Sequence, residues 1–331
     1  MTAAAIAFAV SAATAALLVR FKAHLPFIDH PNQRSSHDVP KPRSGGIAVA
    51  AGMAAAAIGS MKYGLAPAGA IVVGGAAAGF FALGLVDDLR SVGELPRLAG
   101  QTALAAAAVM GARVRLDFAG LPGWGGGWPD AVTAALSVFW IVGFVNVFNF
   151  MDGLDGFAPG KAALGGAMIA GLGGAHYLYW VSGAALGLLA FNFPPAKIFM
   201  GDGGSYLLGF LLAAGCAQHG PGVSFVACVM PLGSFLFDAS ITLVRRMAAG
   251  ETWYKAHRSH FYQRATDLGF SHRAVTLSDY ALTAAGGGLG LLYMRAGSSA
   301  GRAAVVAAWA GLHFAVAGAI YMAQRRRERP A

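Results

Sequence analysis

The sequence predicts an all-α fold: a polytopic membrane protein of about eleven transmembrane helices forming a single domain over residues 1–331. Three observations predict it. Of the 331 residues, 56% are hydrophobic and only 12% charged, whereas ordinary soluble domains carry roughly 25% charge. The 47 glycines and the many alanines suit helices that approach closely through small residues in lipid. Apolar windows close to the roughly 20 residues needed to cross the hydrocarbon recur along the whole chain.

In order, the windows run approximately over 2–19, 45–61, 67–86, 97–112, 130–148, 158–175, 177–191, 204–219, 222–244, 275–294 and 302–323. The first reads as a retained helix and not as a signal peptide. No lysine or arginine precedes it, and Arg20 and Lys22 follow it, the reverse of a secretory charge order. It reads as a retained helix with its N-terminus outside, which puts the C-terminus in the cytoplasm. Segments 20–44, 87–96, 149–157, 192–203, 245–274 and the tail then face inward. With their borders they hold nineteen of the 24 lysines and arginines, as the positive-inside rule demands. The segment 111–129, rich in glycine and tryptophan, reads as an outer hairpin or interfacial turn with an aromatic belt. The tail QRRRER reads as a topology anchor near anionic lipid. Cys216 and Cys228 lie inside apolar runs and read as buried, unpaired thiols. The net charge of +9 is scattered over loops, which points to a membrane surface and an anionic substrate and not to nucleic acid.

The inner segments collect the unusual polar motifs. The stretch VNVFNFMDGLDGF ends an apolar run with Asn149, Asp152 and Asp155. A carboxylate at the bilayer centre costs roughly 2.5–3.5 kcal/mol even on lenient scales, so these acids belong at a membrane face. In LVDDLRSVGELP, Asp87 and Asp88 point about 100° apart on a helix. One can face a site while the other caps or orients, and the pair can supply a base or a metal ligand. In FNFPPAKIFMGDGGSYLLG, Asp202 stands among glycines just before an apolar window. An exposed helix start favours a diphosphate, against which Asp202 could hold a cation. DHPNQRSSHDVPKPRSGG offers phosphate-binding cations. The loop ETWYKAHRSHFYQRATDLGFSHRA carries His257, Arg258 and His260, whose i, i+3 spacing without cysteine disfavours zinc and suits phosphate binding or acid–base work.

Carboxylates with bound Mg²⁺ commonly neutralise phosphate oxygens in phosphoryl transfer. The residues alone therefore point to a membrane enzyme acting on a diphosphate, with a lipid phosphate as a natural substrate. A small-solute transporter predicts broken spans and mid-helix acids in repeated halves. Here no repeat is visible and the acids sit at helix ends, except Asp238, about two turns inside a span. A lipid phosphate or diphosphate hydrolase is the other rival, distinguished by releasing inorganic phosphate.

The motifs PNQRSSH with PKPRSGG, VDDL, NVFNFMDGLDG, KIFMGDGGSYLLG, PLGSFLFD and HRSHFYQR, in this order between Asp29 and Arg273, resemble the polyprenyl-phosphate N-acetylhexosamine-1-phosphate transferases. That family includes the phospho-MurNAc-pentapeptide translocase and the enzymes that start O-antigen and enterobacterial common antigen synthesis. The resemblance implies transfer of a sugar 1-phosphate from a UDP-N-acetylhexosamine to undecaprenyl phosphate, with release of UMP. It implies Mg²⁺ as cofactor, with Mn²⁺ as the alternative ion, and a multi-pass enzyme of the bacterial cytoplasmic (inner) membrane with its site on the cytoplasmic face. It allows a homodimer. By motif, Asp202 corresponds to the principal metal ligand, joined by Asp152. Asp87 and Asp88 correspond to the pair assigned to acceptor activation or metal work. Asn149, Asp152 and Asp155 correspond to the nucleotide and catalytic region, and Asn192 to a uridine-side asparagine. His257 and His260 correspond to the ends of a histidine-rich loop near the donor, with Arg258 between them. The departure is in that loop. HRSH has Ser259 where many relatives carry a further histidine, which resembles the branch starting O-antigen or capsule units and argues against a peptidoglycan precursor.

Overall fold

The computed structural model describes residues 2–22, 28–29, 41–62, 69–117, 128–220, 222–252 and 258–328. Its helices are α1 (Thr2–Arg20), α2 (Gly45–Lys62), α3 (Ala70–Arg90), α4 (Glu94–Gly111), α5 (Asp130–Phe150), α6 (Phe157–Gly171), α7 (Leu178–Asn192), α8 (Gly201–Ala217), α9 (Phe225–Val229), α10 (Gly233–Ala248), α11 (Phe261–Asp267), α12 (His272–Arg295) and α13 (Ser299–Glu328). A 3-10 turn, Met230–Leu232, joins α9 to α10. Two short strands, β1 (Ile28–Asp29) and β2 (Lys41–Pro42), pair antiparallel.

Every predicted apolar window falls on a helix, and the all-α membrane character holds. By length and apolarity six helical stretches among the described residues can cross a membrane: α1, α2, α3, α5, α9 continued through α10, and α13. The others are shorter or less apolar. α6, α7 and α8 run only 15, 15 and 17 residues. α8 is the core of the bundle. After Asp202 it has no charged residue and is buried on nearly every face, as expected for a helix that is apolar all round. It is enclosed by α2, α3, α5, α6 and α7. α13 is the opposite case, with only 6% of its apolar window buried.

Two close approaches set the start of α8. A Cβ added at Gly84 of α3 would lie 2.3 Å from the Asp202 carbonyl oxygen, and one at Gly46 of α2 would lie 2.3 Å from the Gly204 nitrogen. Both neighbours therefore meet the first turn of α8 backbone to backbone, which only glycine permits. The PKPRSGG segment is also stitched to the chain entering α8. The Phe199 N–H donates to the Pro42 carbonyl (2.8 Å), and the Gly45 and Gly46 N–H groups donate to the Phe199 and Met200 carbonyls (2.8 and 2.7 Å).

Two sequence readings change. Lys161, counted among the inward loop cations, lies within α6 and is fully buried. Its ammonium donates to Ser234 Oγ at 2.6 Å and lies 3.2 Å from Asp279 Oδ2. It is a packing charge, and the remaining loop cations still lie predominantly on the segments that carry the polar motifs. The 245–274 loop contains the helix α11, which apolar periodicity could not reveal because it is only seven residues long. Its start is marked by the His260 N–H donating to Gln263 Oε1 (3.2 Å), a capping pattern legible as H-x-x-Q. Both cysteines are buried and free. Residues 118–127 of the outer segment lie outside the described residues; on its flanks Arg115 pairs with Asp130, and the Leu116 N–H donates to Ser137 Oγ (2.9 Å).

Candidate active site

At one end of the bundle the helix ends bearing the polar motifs converge on the first turn of α8. Gly201 has φ +79°, and a Cβ there would lie 2.8 Å from Asp88 Oδ2. The Asp88 carboxylate accepts the backbone N–H of Asp202 at 2.9 Å and of Gly203 at 3.0 Å. It thus caps α8 from outside the helix, where the dipole and the unsatisfied N–H groups favour an anion. Asp202 is held in turn by Asn149, whose Nδ2 donates to Asp202 Oδ1 (3.1 Å) and Ser205 Oγ (2.8 Å). The Arg43 guanidinium bridges both acids, with Nη2 2.6 Å from Asp202 Oδ1 and Nε 3.1 Å from Asp88 Oδ1.

Asp152 follows the end of α5 and is half-buried. Among the described residues its carboxylate accepts no hydrogen bond that would compensate its loss of water. Its pKa is raised from 3.8 to about 7, first by desolvation, with Asp202 and Asp88 adding to the rise and Arg43 opposing it. Among the described residues Arg43 acts on all three carboxylates and Arg97 on Asp202 as well, so negative charge predominates at the start of α8.

The neighbouring acids divide as their helical angle requires. Asp87 turns away from Arg43 and is saturated: it accepts the Val92 N–H (2.7 Å), Arg97 Nη1 (3.1 Å) and the Tyr206 hydroxyl (3.0 Å). Asp88 faces the cluster. Asp155 and Asn192 form the frame behind it. Asp155 Oδ2 accepts the Ala196 N–H (2.9 Å) and lies 3.9 Å from Lys41 Nζ. Asn192 is buried, accepts the Gly156 N–H (2.9 Å) and donates to the Ile198 carbonyl (2.8 Å). Its polar atoms brace the DGLDG turn against the loop entering α8. From α12, Tyr280 and Thr276 donate to the Gly156 and Asp155 carbonyls at 2.7 and 3.0 Å.

The histidine loop docks on the same turn. His260 is buried, with Nδ1 3.0 Å from Asp238 Oδ1. Asp238 also accepts the Phe261 and Tyr262 N–H groups (2.9 and 3.0 Å) and the Thr242 hydroxyl (3.2 Å). Tyr262 then reaches the Phe150 carbonyl at 3.2 Å, lying over Gly153, where any Cβ would meet its hydroxyl. Arg258 sits at the exposed rim, paired with Asp267 at 3.2 Å. His257 lies outside the described residues.

The structure thus gathers Asp88, Asn149, Asp152 and Asp202 around Arg43, frames them with Asp87, Asp155 and Asn192, and sets His260 across the DGLDG turn. Arg43, Arg97, Tyr206 and Asp238 escaped assignment from sequence. Arg43 was legible only as one loop cation among several, and Asp238 only as an acid about two turns inside its span. As placed, no three histidine, cysteine, aspartate or glutamate side chains among the described residues form a ready ion-holding group. The donor types fit a hard divalent cation nonetheless, because Asp202, Asp152 and Asp88 offer carboxylate oxygens and Asn149 an amide oxygen. Two apolar cavities lie apart from this cluster. One, of about 230 Å³, is walled by α10, α11, α12 and α13; the other, of about 900 Å³, opens between α2 and α3 beside α7 and α8.

Residues 70–218, which contain Asp87, Asp88, Asn149, Asp152, Asp155, Asn192 and Asp202, match the model of glycosyl transferase family 4. Over 298 residues the chain is 31% identical to a probable undecaprenyl-phosphate N-acetylglucosaminyl 1-phosphate transferase of Bacillus subtilis (strain 168), covering 83% of this chain and 80% of the relative. It is 30% identical over 293 residues to the decaprenyl-phosphate N-acetylglucosaminephosphotransferase of Mycobacterium tuberculosis, covering 76% and 72%. A shorter stretch of 101 residues is 42% identical to the phospho-N-acetylmuramoyl-pentapeptide-transferase of Levilactobacillus brevis, covering 28% and 31%.

Proposed function

The chain belongs to glycosyl transferase family 4, and from that premise we propose that it transfers N-acetylhexosamine 1-phosphate from a UDP-sugar to undecaprenyl phosphate. A phosphate oxygen of the acceptor attacks the sugar-bearing phosphorus, the bond to UMP breaks, and a lipid-linked diphosphate sugar forms. The observation that carries this reading is the meeting of Asp88, Asn149, Asp152 and Asp202 at the start of α8. The relatives' names favour N-acetylglucosamine as the sugar.

Mg²⁺, or Mn²⁺ in its place, would be held by Asp202 and Asp152 and would supply charge neutralisation for the diphosphate oxygens. The protein's own part is positioning. Asp88 fixes the first turn of α8, and with it the direction of Asp202. Asn149 holds Asp202 from the α5 side. Before an ion binds, Asp152, its pKa pushed up to about 7, can gain or release a proton at its carboxylate near neutrality, and holding the ion would keep it ionised. His260, oriented by Asp238, presents an imidazole beside the turn that carries Asp152. The predominance of loop cations on the motif-bearing side favours a cytoplasmic active face in the bacterial inner membrane. The named side chains all come from one chain, so a homodimer would add none of them.

The test is incubation of the full chain in membranes with undecaprenyl phosphate, Mg²⁺ and a panel of UDP-sugars, followed by identification of the products. UMP and a lipid diphosphate sugar are expected, foremost with UDP-N-acetylglucosamine. Inorganic phosphate with no sugar on the lipid would establish a hydrolase instead.

A further inference from the structure

Arg43 is placed with unusual definition for a residue outside a helix. The backbone on either side of it is zipped to residues 199–200, which registers Arg43 against Phe199, three residues before Asp202. Its guanidinium lies between two carboxylates from different helices, at 2.6 Å and 3.1 Å. Its side chain is nevertheless 41% exposed, and a flexible three-carbon stem allows the head to leave without moving the backbone. A divalent cation held by either oxygen of Asp202 would lie within a few ångströms of the guanidinium, which stands 2.6 Å from Oδ1. Like charges so close in a partly buried site repel strongly. The guanidinium and the divalent ion therefore compete for the same acids. A guanidinium released a few ångströms from a bound diphosphate has an evident partner, since its planar fork matches phosphate oxygens.

We propose that Arg43 is the resident counter-ion of this acidic cluster, neutralising Asp88 and Asp202 before a divalent cation binds and then moving its guanidinium to a phosphate oxygen of the substrates. This rests on the transfer reaction proposed above. It assigns Arg43 two opposed effects: it weakens binding of the bare cation and strengthens binding of the phosphate-bearing substrate. A residue that merely held the fold would do neither.

The experiment uses the purified full chain and Mn²⁺ alone, with the free ion read by electron paramagnetic resonance. Arg43→Ala should bind Mn²⁺ more tightly than the wild type, on the order of ten-fold. Arg43→Lys, which keeps the charge, should stay near the wild-type value. Asp202→Asn should lose binding. In turnover, Arg43→Ala and Arg43→Lys should both raise KM for a phosphate-bearing substrate, because lysine cannot reproduce the fork. A rise confined to the UDP-sugar identifies the donor diphosphate as the partner, and one confined to undecaprenyl phosphate identifies the acceptor. If Arg43→Ala does not fold, Arg43→Gln, which keeps hydrogen bonds without charge, is read in its place. Mn²⁺ affinity that is unchanged or weaker in the uncharged variant, or KM values unchanged for both substrates, overturns the proposal while wild-type UMP release leaves the transfer reading standing. Absence of UMP release by the wild type with every UDP-sugar overturns both.

Discussion

Two groups of buried charge sit in this bundle, and they are built in opposite ways. Between α6, α10 and α12, Lys161 meets Asp279 at 3.2 Å and donates to Ser234 and Thr283. Ser234 donates to the other Asp279 oxygen, and the ammonium lies 4.8 Å from the centre of the Phe235 ring. One cation faces one anion: hydroxyls meet the ammonium and Asp279 Oδ1, while Asp279 Oδ2 has the ammonium 3.2 Å away as its counter-charge and accepts no hydrogen bond among the described residues. At the start of α8, three acids surround one guanidinium, and Asp152 is left without a hydrogen bond among the described residues. A closed cluster holds helices together. Among the described residues the open one carries more negative than positive charge, the condition that suits a cationic ligand. Burial and charge alone would have ranked the two equally.

The sharpest way to break the comparison is to open the closed cluster. Lys161→Met leaves Asp279 buried without its counter-charge and should destabilise the protein by about 3–5 kcal/mol. The triple change Lys161→Met, Ser234→Ala, Asp279→Leu removes the ion pair and its bridging hydroxyl together, leaves the Thr283 hydroxyl bonded to the backbone carbonyl of residue 279, and should recover most of that loss. Thermal unfolding in detergent checks both. An undiminished midpoint in the single variant would mean that the cluster is not holding α6 to α12.

Within the open cluster the two neighbouring acids should behave unequally. Asp88 fixes the α8 start and pairs with Arg43, so Asp88→Asn should lower kcat/KM by about 100-fold, within the range of lost acid–base or positioning groups. Asp87 serves Arg97, Tyr206 and Val92, so Asp87→Asn should lower the thermal midpoint more than it lowers turnover. Equal kinetic losses with equal midpoints would erase the distinction between facing and framing acids.

The helices and their motifs were legible in the sequence, because apolar windows and charge-free runs are local properties. What was not legible was contact. That Asp87 and Asp88 diverge follows from helical geometry, but which one meets the site depends on the position of α8. Arg43 lies 159 residues from Asp202, and nothing local announces the backbone pairing that joins them. Lys161 follows the DGLDG turn by only five residues and so resembled a loop cation, until α6 proved to begin at Phe157. Asp238 stood out in the sequence only as an acid about two turns inside a span, and the structure makes it the anchor of the histidine loop.

The pH response sharpens the contrast further. Asp152 has a folded-state pKa of about 7 against an ordinary 3.8. A raised carboxylate favours the folded state below its unfolded value, and that contribution is lost as pH rises through the folded one. The metal-free protein should therefore lose stability between pH 4 and 7 from this group, and Asp152→Asn should remove that part of the slope. Mn²⁺ binding, which requires the ionised acid, should weaken by about ten-fold per pH unit below about 7 and level off above it. Titration calorimetry at several pH values measures this, and a flat affinity between pH 5.5 and 8 would count against Asp152 as a ligand.

The smallest effect belongs to the histidine loop. His260→Ala should lower kcat/KM by about ten-fold, near 1.4 kcal/mol of transition-state stabilisation. Asp238→Asn should reproduce that loss, and the double variant should add little to it. Additive losses would mean that Asp238 acts separately from the imidazole.

The central claim is that the open cluster is where the chemistry occurs and the closed one is scaffold. UMP release should be measured side by side for wild type, Asp202→Asn and the Lys161→Met, Ser234→Ala, Asp279→Leu variant, each purified as the full chain with its thermal midpoint recorded. The account predicts that Asp202→Asn folds normally and falls at least about a thousand-fold in rate, while the triple variant stays within a few-fold of wild type. Retained turnover in Asp202→Asn, or its loss in a well-folded triple variant, would contradict the account.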